Sequence, residues 1–306
     1  MATEKVPWYR AQIVTLILLI IAAVIVIGAV LAGQTASGQP VIGIGQAIIM
    51  LLVGFLAGLV GGLIGTGGCS VMLPIIHFWM GFPAPLAVGT ILFAVIFTAV
   101  SGAWGHLVRR NLDRRAVAWL GGGGLLGVLL GSWLFTLVSA HAQLLGLILG
   151  LLFLWPAFRM IWEGVQGFTG KEPAKKEGNA IPGGGWGMAV FGFVVGITTG
   201  IAGLGGGYAL VPGLIYLFSA PVYITMGTSL AVMVPLTLVG GLIKVAQGFV
   251  VLVAGGLLGS GATVGAQVGA AIIKRFRPHT LKFIFGLYFL YVSLKFVLGY
   301  FGIHIW

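Results

Sequence analysis

The chain has 306 residues, of which 59% are hydrophobic and only 7% are charged, and its mean hydropathy is +1.14. This balance excludes an ordinary soluble domain and predicts an all-α polytopic membrane protein. The net charge of +11 does not indicate nucleic-acid binding, because most of the 16 Lys and Arg residues fall in clusters between apolar runs. In that position they indicate how the spans are oriented in the membrane. The single cysteine excludes an internal disulfide and a multi-cysteine metal or redox site.

Apolar runs long enough to cross a bilayer follow one another along the chain, since about 20 residues span the hydrocarbon core. They lie at 13–32, 46–65, 86–107, 116–138, 142–162, 186–204, 223–243, 249–273 and 280–303. The first run follows Lys5 and Arg10, but its length favours a retained helix over a cleaved signal peptide. The pieces at 69–80 and 207–218 are too short to cross.

The chain contains a duplicated unit. A shift of 138 residues aligns GLVGGLIGTGGCSVMLP from Gly58 with GITTGIAGLGGGYALVP from Gly196 without a gap, and it pairs further glycines and prolines downstream. So many matches in one register predict two similar repeats behind one extra helix. The predicted divisions are an N-terminal helix with an outer loop at 1–45, repeat 1 at 46–163, a cytoplasmic linker at 164–184 and repeat 2 at 185–306.

Basic clusters orient the spans, because Lys and Arg accumulate in cytoplasmic loops. The clusters at 109–115, 159–176 and 274–282 therefore predict cytoplasmic loops, together with a cytoplasmic N-terminus. Full crossings throughout would put 109–115 outside. The conflict disappears if 46–80 and 186–218 are re-entrant hairpins that turn at the Gly-rich stretches and leave where they entered. Each repeat is then a hairpin plus three transmembrane helices, which predicts an inverted repeat with seven full crossings and an external C-terminus.

The two Gly-rich stretches that end in proline, GGLIGTGGCSVMLP and GIAGLGGGYALVP, resemble those of the sulfite exporter TauE/SafE family of anion permeases. The resemblance extends from about Gln46 to Leu298. It implies transport of sulfite, organosulfonates or related small anions across a bacterial or archaeal plasma membrane. Cys69 departs from the usual run of three glycines, where repeat 2 has Gly207, and this leaves the exact anion open.

The two Gly-rich turns are the candidate anion site. Irregular backbone at membrane depth must be buried in protein or line a wet cavity. The amide groups and the positive dipole end of a new helix bind anions, and interrupted helices of inverted-repeat transporters meet near the midplane. Close packing through small residues is the alternative. The predicted substrate-binding residues of the turns are Thr66, Gly67, Gly68, Cys69, Ser70, Leu204, Gly205, Gly206, Gly207 and Tyr208.

Further candidate residues follow the hairpins. Thr90, Thr228 and Ser229 begin the next crossing of each repeat, where a hydroxyl caps a helix or binds an oxyanion. Lys244 lies near the outer end of a span, away from the cytoplasmic clusters, and it is equivalent to His106 at the 138-residue shift. Intramembrane ionisable groups are functional candidates, with extension of the side chain to the interface as the alternative.

All five acidic residues fall in termini, loops or span ends, so no carboxylate is predicted at the membrane centre, which favours an anion over a cation as substrate. No histidine has a second ligand at metal spacing, and no metal or cofactor is predicted. These features predict a secondary transporter, not an enzyme, that works by alternating access. An anion-selective channel is the alternative. Coupling to H⁺ or Na⁺, the direction of transport and a homodimer stay open.

Overall fold

The computed structural model describes residues 8–32, 42–168, 178, 180–272 and 278–303, and this part of the chain is helical without strands. The predicted all-α class is confirmed. The N-terminal basic flank, the outer loop, most of the linker at 164–184 and much of the cluster at 274–282 lie outside the described residues. The helices are α1 Trp8–Leu31, α2 Ile44–Ile64, α3 Cys69–Pro74, α4 Ala84–Val108, α5 Arg114–Ser139, α6 Ala142–Phe168, α7 Gly185–Ala202, α8 Gly207–Leu217, α9 Val222–Ala246, α10 Leu252–Ile272 and α11 Pro278–Tyr300.

Local sequence explains where several helices begin. Equivalent prolines, Pro83 and Pro221, precede α4 and α9, because proline has no N–H to leave unsatisfied and its fixed φ suits a helix start. Asp113 caps α5, where its carboxylate accepts the N–H groups of Arg115 and Ala116 at 2.9 and 3.1 Å. α3 continues without a break into a π-helical segment, Ile75–Trp79.

Eight helices in the described ranges are long and apolar enough to cross a membrane, which confirms a multi-pass membrane protein. They are α1, α2, α4, α5, α6, α7, α9 and α10. The set differs from the predicted seven crossings because it includes α2 and α7, after which the chain reverses. It omits α11, whose apolar part, Gly286–Tyr300, is shorter.

The two central helices, α4 and α9, pack antiparallel to each other. Gly102 in α4 lies against Leu230, and Gly240 in α9 lies against Leu92, so increasing residue numbers in one helix meet decreasing numbers in the other. Most of α4 is buried, whereas the apolar side chains of α1 are mostly exposed. The centre of the molecule is therefore formed by one equivalent helix from each half.

The first limb of each hairpin packs parallel to a helix of the other half. Gly54 in α2 contacts the backbone of Leu258 in α10, and the equivalent Gly192 in α7 contacts the backbone of Leu120 in α5. Glycines at four-residue spacing continue both contacts in the same direction. Because a glycine lets two backbones approach closely, this spacing explains both helix pairs.

Each hairpin begins and ends at one end of the molecule. The N–H of Val251, just before α10, donates to Thr90 near the start of α4, at 3.0 Å. α2 runs parallel to α10 and so begins at this first end, and the return limb formed by α3 and its π-helical segment leads back to α4 there. The hairpin of α7 and α8 begins and ends at the second end, where α9 starts. The chain thus reverses at both Gly-rich stretches.

The remaining helices lie at the side of this core. α6 and α11 pack antiparallel, with Gly150 against Val297 and Gly164 against Phe283. The hydroxyl of Ser293 in α11 donates to the carbonyl of Gly150 at 2.7 Å. α1 packs against α10 and α4. The core of hairpins and central helices, and not this periphery, positions the candidate site.

Candidate functional site

Both Gly-rich turns use glycine in the left-handed region of the backbone at the same three positions. The φ angles lie between 65° and 84°. The glycines are Gly65, Gly67 and Gly68 in the first turn and Gly203, Gly205 and Gly206 in the second. Since other residues rarely adopt positive φ, both reversals depend on glycine. These positions are equivalent under the 138-residue shift.

The two turns meet at the middle of the central helices. A Cβ atom added to Gly67 would contact the side chains of Met233 and Val95, and one added to Gly205 would contact the same two side chains. Val95 and Met233 are themselves equivalent in the two repeats and lie near half the length of α4 and α9. The turns therefore share one location between the halves of the protein.

The turns also contact each other directly. The thiol of Cys69 donates to the carbonyl of Leu204 in the opposite turn. In the reverse direction, Gly207 packs against the backbone of Thr66. Cys69 and Leu204 are fully buried, and Thr66 is 7% exposed. The predicted residues of the two turns thus come together as one buried cluster.

Amide groups begin both return limbs without a backbone acceptor. At the start of α3, the N–H groups of Val71 and Met72 donate to the carbonyl of Gly68. The preceding amides of Cys69 and Ser70 donate to no backbone carbonyl within the described ranges, and the start of α8 repeats the pattern. N–H groups that lack a backbone acceptor of good geometry at the positive end of a helix dipole are suited to an anion.

Side-chain hydroxyls accompany these amides. The Oγ atom of Ser70 is buried and has no hydrogen-bond partner among the described residues. Its equivalent, Tyr208, is also buried and places its hydroxyl beside Thr198. A buried hydroxyl without a hydrogen-bond partner lowers the stability of the fold by about 1–3 kcal/mol, so a polar ligand bound at the turns would offset this cost at Ser70.

The candidate hydroxyls at the starts of α4 and α9 are bonded within the protein. Thr90 Oγ1 accepts the N–H of Val251, and the equivalent Thr228 Oγ1 accepts the N–H of Asp113, each at 3.0 Å. They hold the starts of α10 and α5, and neither caps its own helix. Ser229 donates to the C-cap carbonyl of α2 at 2.8 Å, so of these three hydroxyls it is the one bonded to a turn.

The two candidate cationic residues lie away from the turns. His106 and Lys244 are fully buried, so Lys244 does not extend to the surface. His106 Nε2 is 3.2 Å from the carbonyl of Gly62. Lys244 Nζ is 3.1 Å from the ring centroid of Phe135 and has no hydrogen-bond partner in the part of the chain that the structure describes. Each lies about 16 Å along its helix from the meeting point of the turns, in opposite directions.

Buried polar atoms without partners are concentrated in the core. In the described residues they belong to α3, α4, α5 and α8 and to the C-terminal part of α9. Such atoms are rare in protein interiors and mark sites for water, ions or ligands. The residues are Ser70, Thr98, His106, Ser132, Tyr208, Lys244 and Gln247.

Sequence reasoning missed four residues that the structure places at or near these groups. Val95 and Met233 stand against the turns, and their equivalence under the 138-residue shift was a signal that could have found them. Ser132 and Gln247 carried no such signal, since only the packing of α5 on α9 brings them together.

The fold and the paired turns define a multi-pass helical membrane protein of the transporter class. Within the described residues, no group of three His, Cys, Asp or Glu side chains could hold a metal ion. The model of the family described as Sulfite exporter TauE/SafE matches residues 50–296. The chain belongs to this family of membrane transporters.

Relatives of known name agree with this class. The chain is 30% identical over 225 residues to the probable membrane transporter protein YdhB of Bacillus subtilis, covering 72% of this chain and 89% of the relative. It is 26% identical over 267 residues to the probable membrane transporter protein YunE of the same organism, covering 82% and 97%. A probable membrane transporter protein of Methanocaldococcus jannaschii is 26% identical over 203 residues, covering 64% and 71%. No solved structure matches the chain. The relatives' names indicate transport.

Proposed function

We propose that the protein is a secondary transporter that moves sulfite, an organosulfonate or a related small sulfur oxyanion across the plasma membrane by alternating access. The observation that carries the proposal is the meeting of two Gly-rich turns, each with helix-start amide groups that lack a well-aligned backbone acceptor, against Val95 and Met233. The substrate class follows from membership of the sulfite exporter family.

The chemistry of the turns suits an oxyanion. The amide groups at the starts of the two return limbs, with the hydroxyl of Ser70, supply hydrogen-bond donors to sulfonate or sulfite oxygens. Each limb continues as an apolar helix, Cys69–Trp79 or Gly207–Leu217, whose dipole adds positive potential at the turn. The described carboxylates, Asp113 and Glu163, are engaged with partners elsewhere. Neither of these carboxylates therefore opposes an anion between the turns.

The arrangement of the halves supports alternating access. Equivalent helices α4 and α9 run in opposite directions, as expected of an inverted repeat. In the proposed orientation, the basic cluster at 109–115 puts the second end of the molecule in the cytoplasm and the first end outside. Each hairpin then returns to a different side, and movement of the hairpins relative to α4 and α9 exposes the turns to one side at a time. The anion follows the membrane potential or is coupled to H⁺ or Na⁺.

Transport is tested with the purified full chain in proteoliposomes. Uptake of radiolabelled sulfite should saturate with concentration and should accelerate when the vesicles contain unlabelled sulfite, because a carrier exchanges bound substrate across the membrane. Protein-free vesicles are the control. Large unitary currents without this counterflow would indicate a channel and overturn the carrier mechanism. A panel of sulfite, sulfonates, thiosulfate and sulfate as thermal stabilisers identifies the preferred anion, because a bound ligand stabilises the folded state.

The orientation is tested separately. A Ser37→Cys variant should react with a membrane-impermeant thiol reagent in intact cells, because the proposed outer loop contains residue 37. The native Cys69 is fully buried and serves as the background control. Labelling that appears only after the cells are lysed would contradict an external loop.

A further inference from the structure

The amino group of Lys244 lies in an environment that does not match its charge. The residue is fully buried, and its Nζ atom sits over the face of Phe135, at 3.1 Å from the ring centroid. An aromatic face attracts a cation but supplies no hydrogen-bond acceptor of full strength. In the described ranges no oxygen accepts a hydrogen bond from Nζ. A buried ammonium group without a partner costs several kcal/mol, so this arrangement requires an explanation.

Two further unsatisfied groups lie on the same helix faces. Gln247 Nε2 donates to the carbonyl of Ser132 at 3.3 Å, which joins the end of α9 to α5. Ser132 Oγ and Gln247 Oε1 are both buried, and neither has a hydrogen-bond partner in the described segments. Ser132 precedes Phe135 by three residues on α5, and Lys244 precedes Gln247 by three on α9, so both pairs occupy single helix faces that meet. Three polar side chains thus lie on two helix faces that meet.

The described carboxylates do not neutralise Lys244. Asp113 accepts the N–H of Ile181 at 2.7 Å in addition to its bonds at the start of α5. It precedes Ser132 by 19 residues, which is about 28 Å along the helix. Glu163 pairs with Arg159 and accepts a hydrogen bond from Tyr216. Lys244 therefore has no negative partner among the described carboxylates, and a bound anion would supply one.

We propose that Lys244, Ser132 and Gln247 form a second anion site, the Lys244 station, which the transported sulfur oxyanion occupies on its way between the turns and the first end. This inference rests on the proposed transport function. The ammonium group supplies the charge, the Ser132 hydroxyl donates a hydrogen bond, and the Gln247 amide completes the shell by rotating an N–H towards the anion. The station lies about 16 Å along α9 from Met233, far enough for both sites to be occupied.

The other half of the protein lacks an equivalent station. At the 138-residue shift, His106 and Arg109 of the first repeat correspond to Lys244 and Gln247, and Ala270 of the second repeat corresponds to Ser132. His106 bonds the carbonyl at the end of α2, and Arg109 Nη1 donates to its own helix at 2.6 Å. Ala270 has no polar atom in its side chain. The station therefore belongs to one end of the transport path, which makes the path asymmetric.

The station is tested by calorimetric titration of the detergent-solubilised full chain with sulfite. The wild-type protein should bind two anions per chain. Lys244→Met should bind one, because methionine fills the same volume without charge, while Lys244→Arg should keep both. The matched control is Lys295→Met, which removes a lysine that lies over the rings of Phe78 and Tyr291; this variant should still bind two.

The outcomes separate this proposal from the proposed function. Unchanged binding of anions in Lys244→Met overturns the station and leaves the turn site standing. Gly205→Val should lose the turn anion and keep the anion at Lys244; two anions in that variant overturn the turn site instead. Without anion, Lys244→Met should melt no lower than the wild type, because a buried unpaired charge has been removed. A lower melting temperature would show that the lysine is structural and would overturn the station.

Discussion

The two Gly-rich turns have the same backbone but different contacts. Both use three glycines at positive φ, and both stand against Val95 and Met233. One difference lies where Cys69 reaches the carbonyl of Leu204 while its equivalent, Gly207, touches the backbone of the opposite turn. The backbone conformation thus explains why both turns need glycine, and the direct contact between the turns explains why Cys69 and Gly207 have different surroundings.

The largest effect is expected from valine in place of a shared glycine. Gly205→Val should abolish sulfite binding at the turns and with it transport, because a β-branched residue resists positive φ and its side chain would collide with Met233 and Val95. Gly67→Val should do the same, since the turns are equivalent. Calorimetry and proteoliposome uptake measure both effects.

The control is a glycine that the backbone does not require. Gly122 in α5 is exposed, and a Cβ there would meet nothing within 4 Å, so Gly122→Val should keep binding and transport. Correct folding of each variant, purified from the membrane fraction, is checked by size-exclusion chromatography. Undiminished sulfite transport in Gly205→Val would remove the turns from the site.

Alanine in place of Gly207 tests the difference between the turns. A Cβ at this position would lie 2.6 Å from the Cα atom of Thr66, and backbone cannot move aside as a flexible side chain can. We expect Gly207→Ala to lower the free energy of unfolding by about 3 kcal/mol, the upper part of the range for overpacking. Thermal melting in detergent measures the change. If Gly207→Ala lowers the free energy of unfolding no more than Cys69→Ala does, the two equivalent positions do not differ in their packing.

Valine in place of either equivalent threonine should destabilise the protein by a smaller amount. Thr90→Val and Thr228→Val each remove the acceptor of a backbone N–H, so each should destabilise the protein, by about 1–3 kcal/mol where the orphaned group is buried. The bond from Val251 is buried and that from Asp113 is partly exposed, so Thr90→Val should cost more. Melting temperatures compare the pair, and a larger shift in Thr228→Val would contradict the role of burial.

The smallest effect is expected at Cys69. Cys69→Ala removes one weak thiol hydrogen bond to Leu204, which we expect to lower the free energy of unfolding by about 1 kcal/mol and to leave sulfite transport in place. The cysteine then contributes packing between the turns, and the amides around it contribute the binding. Complete loss of transport in Cys69→Ala would assign the thiol a direct role.

Much of the fold could be predicted from the sequence. The 138-residue repeat and the basic cluster at 109–115 together predicted reversals at the Gly-rich stretches, and the structure contains both. The pairing of Lys244 with Phe135 could not be predicted, because nothing in the sequence indicates which face of α5 meets α9. The hydrogen-bond partners of Thr90 and Thr228 could not be predicted either, because each threonine bonds a loop more than 100 residues away in the sequence.

The amino-acid sequence by itself determined the membrane class, the duplication and the glycines of the turns, because hydropathy, repetition and positive φ are properties of single segments. The tertiary structure alone decided that the turns meet at Val95 and Met233 and that Lys244 is buried without a hydrogen-bond partner among the described residues. These facts depend on how the two halves pack against each other. Helix packing is set by the shapes of two surfaces together, and no single segment contains that information.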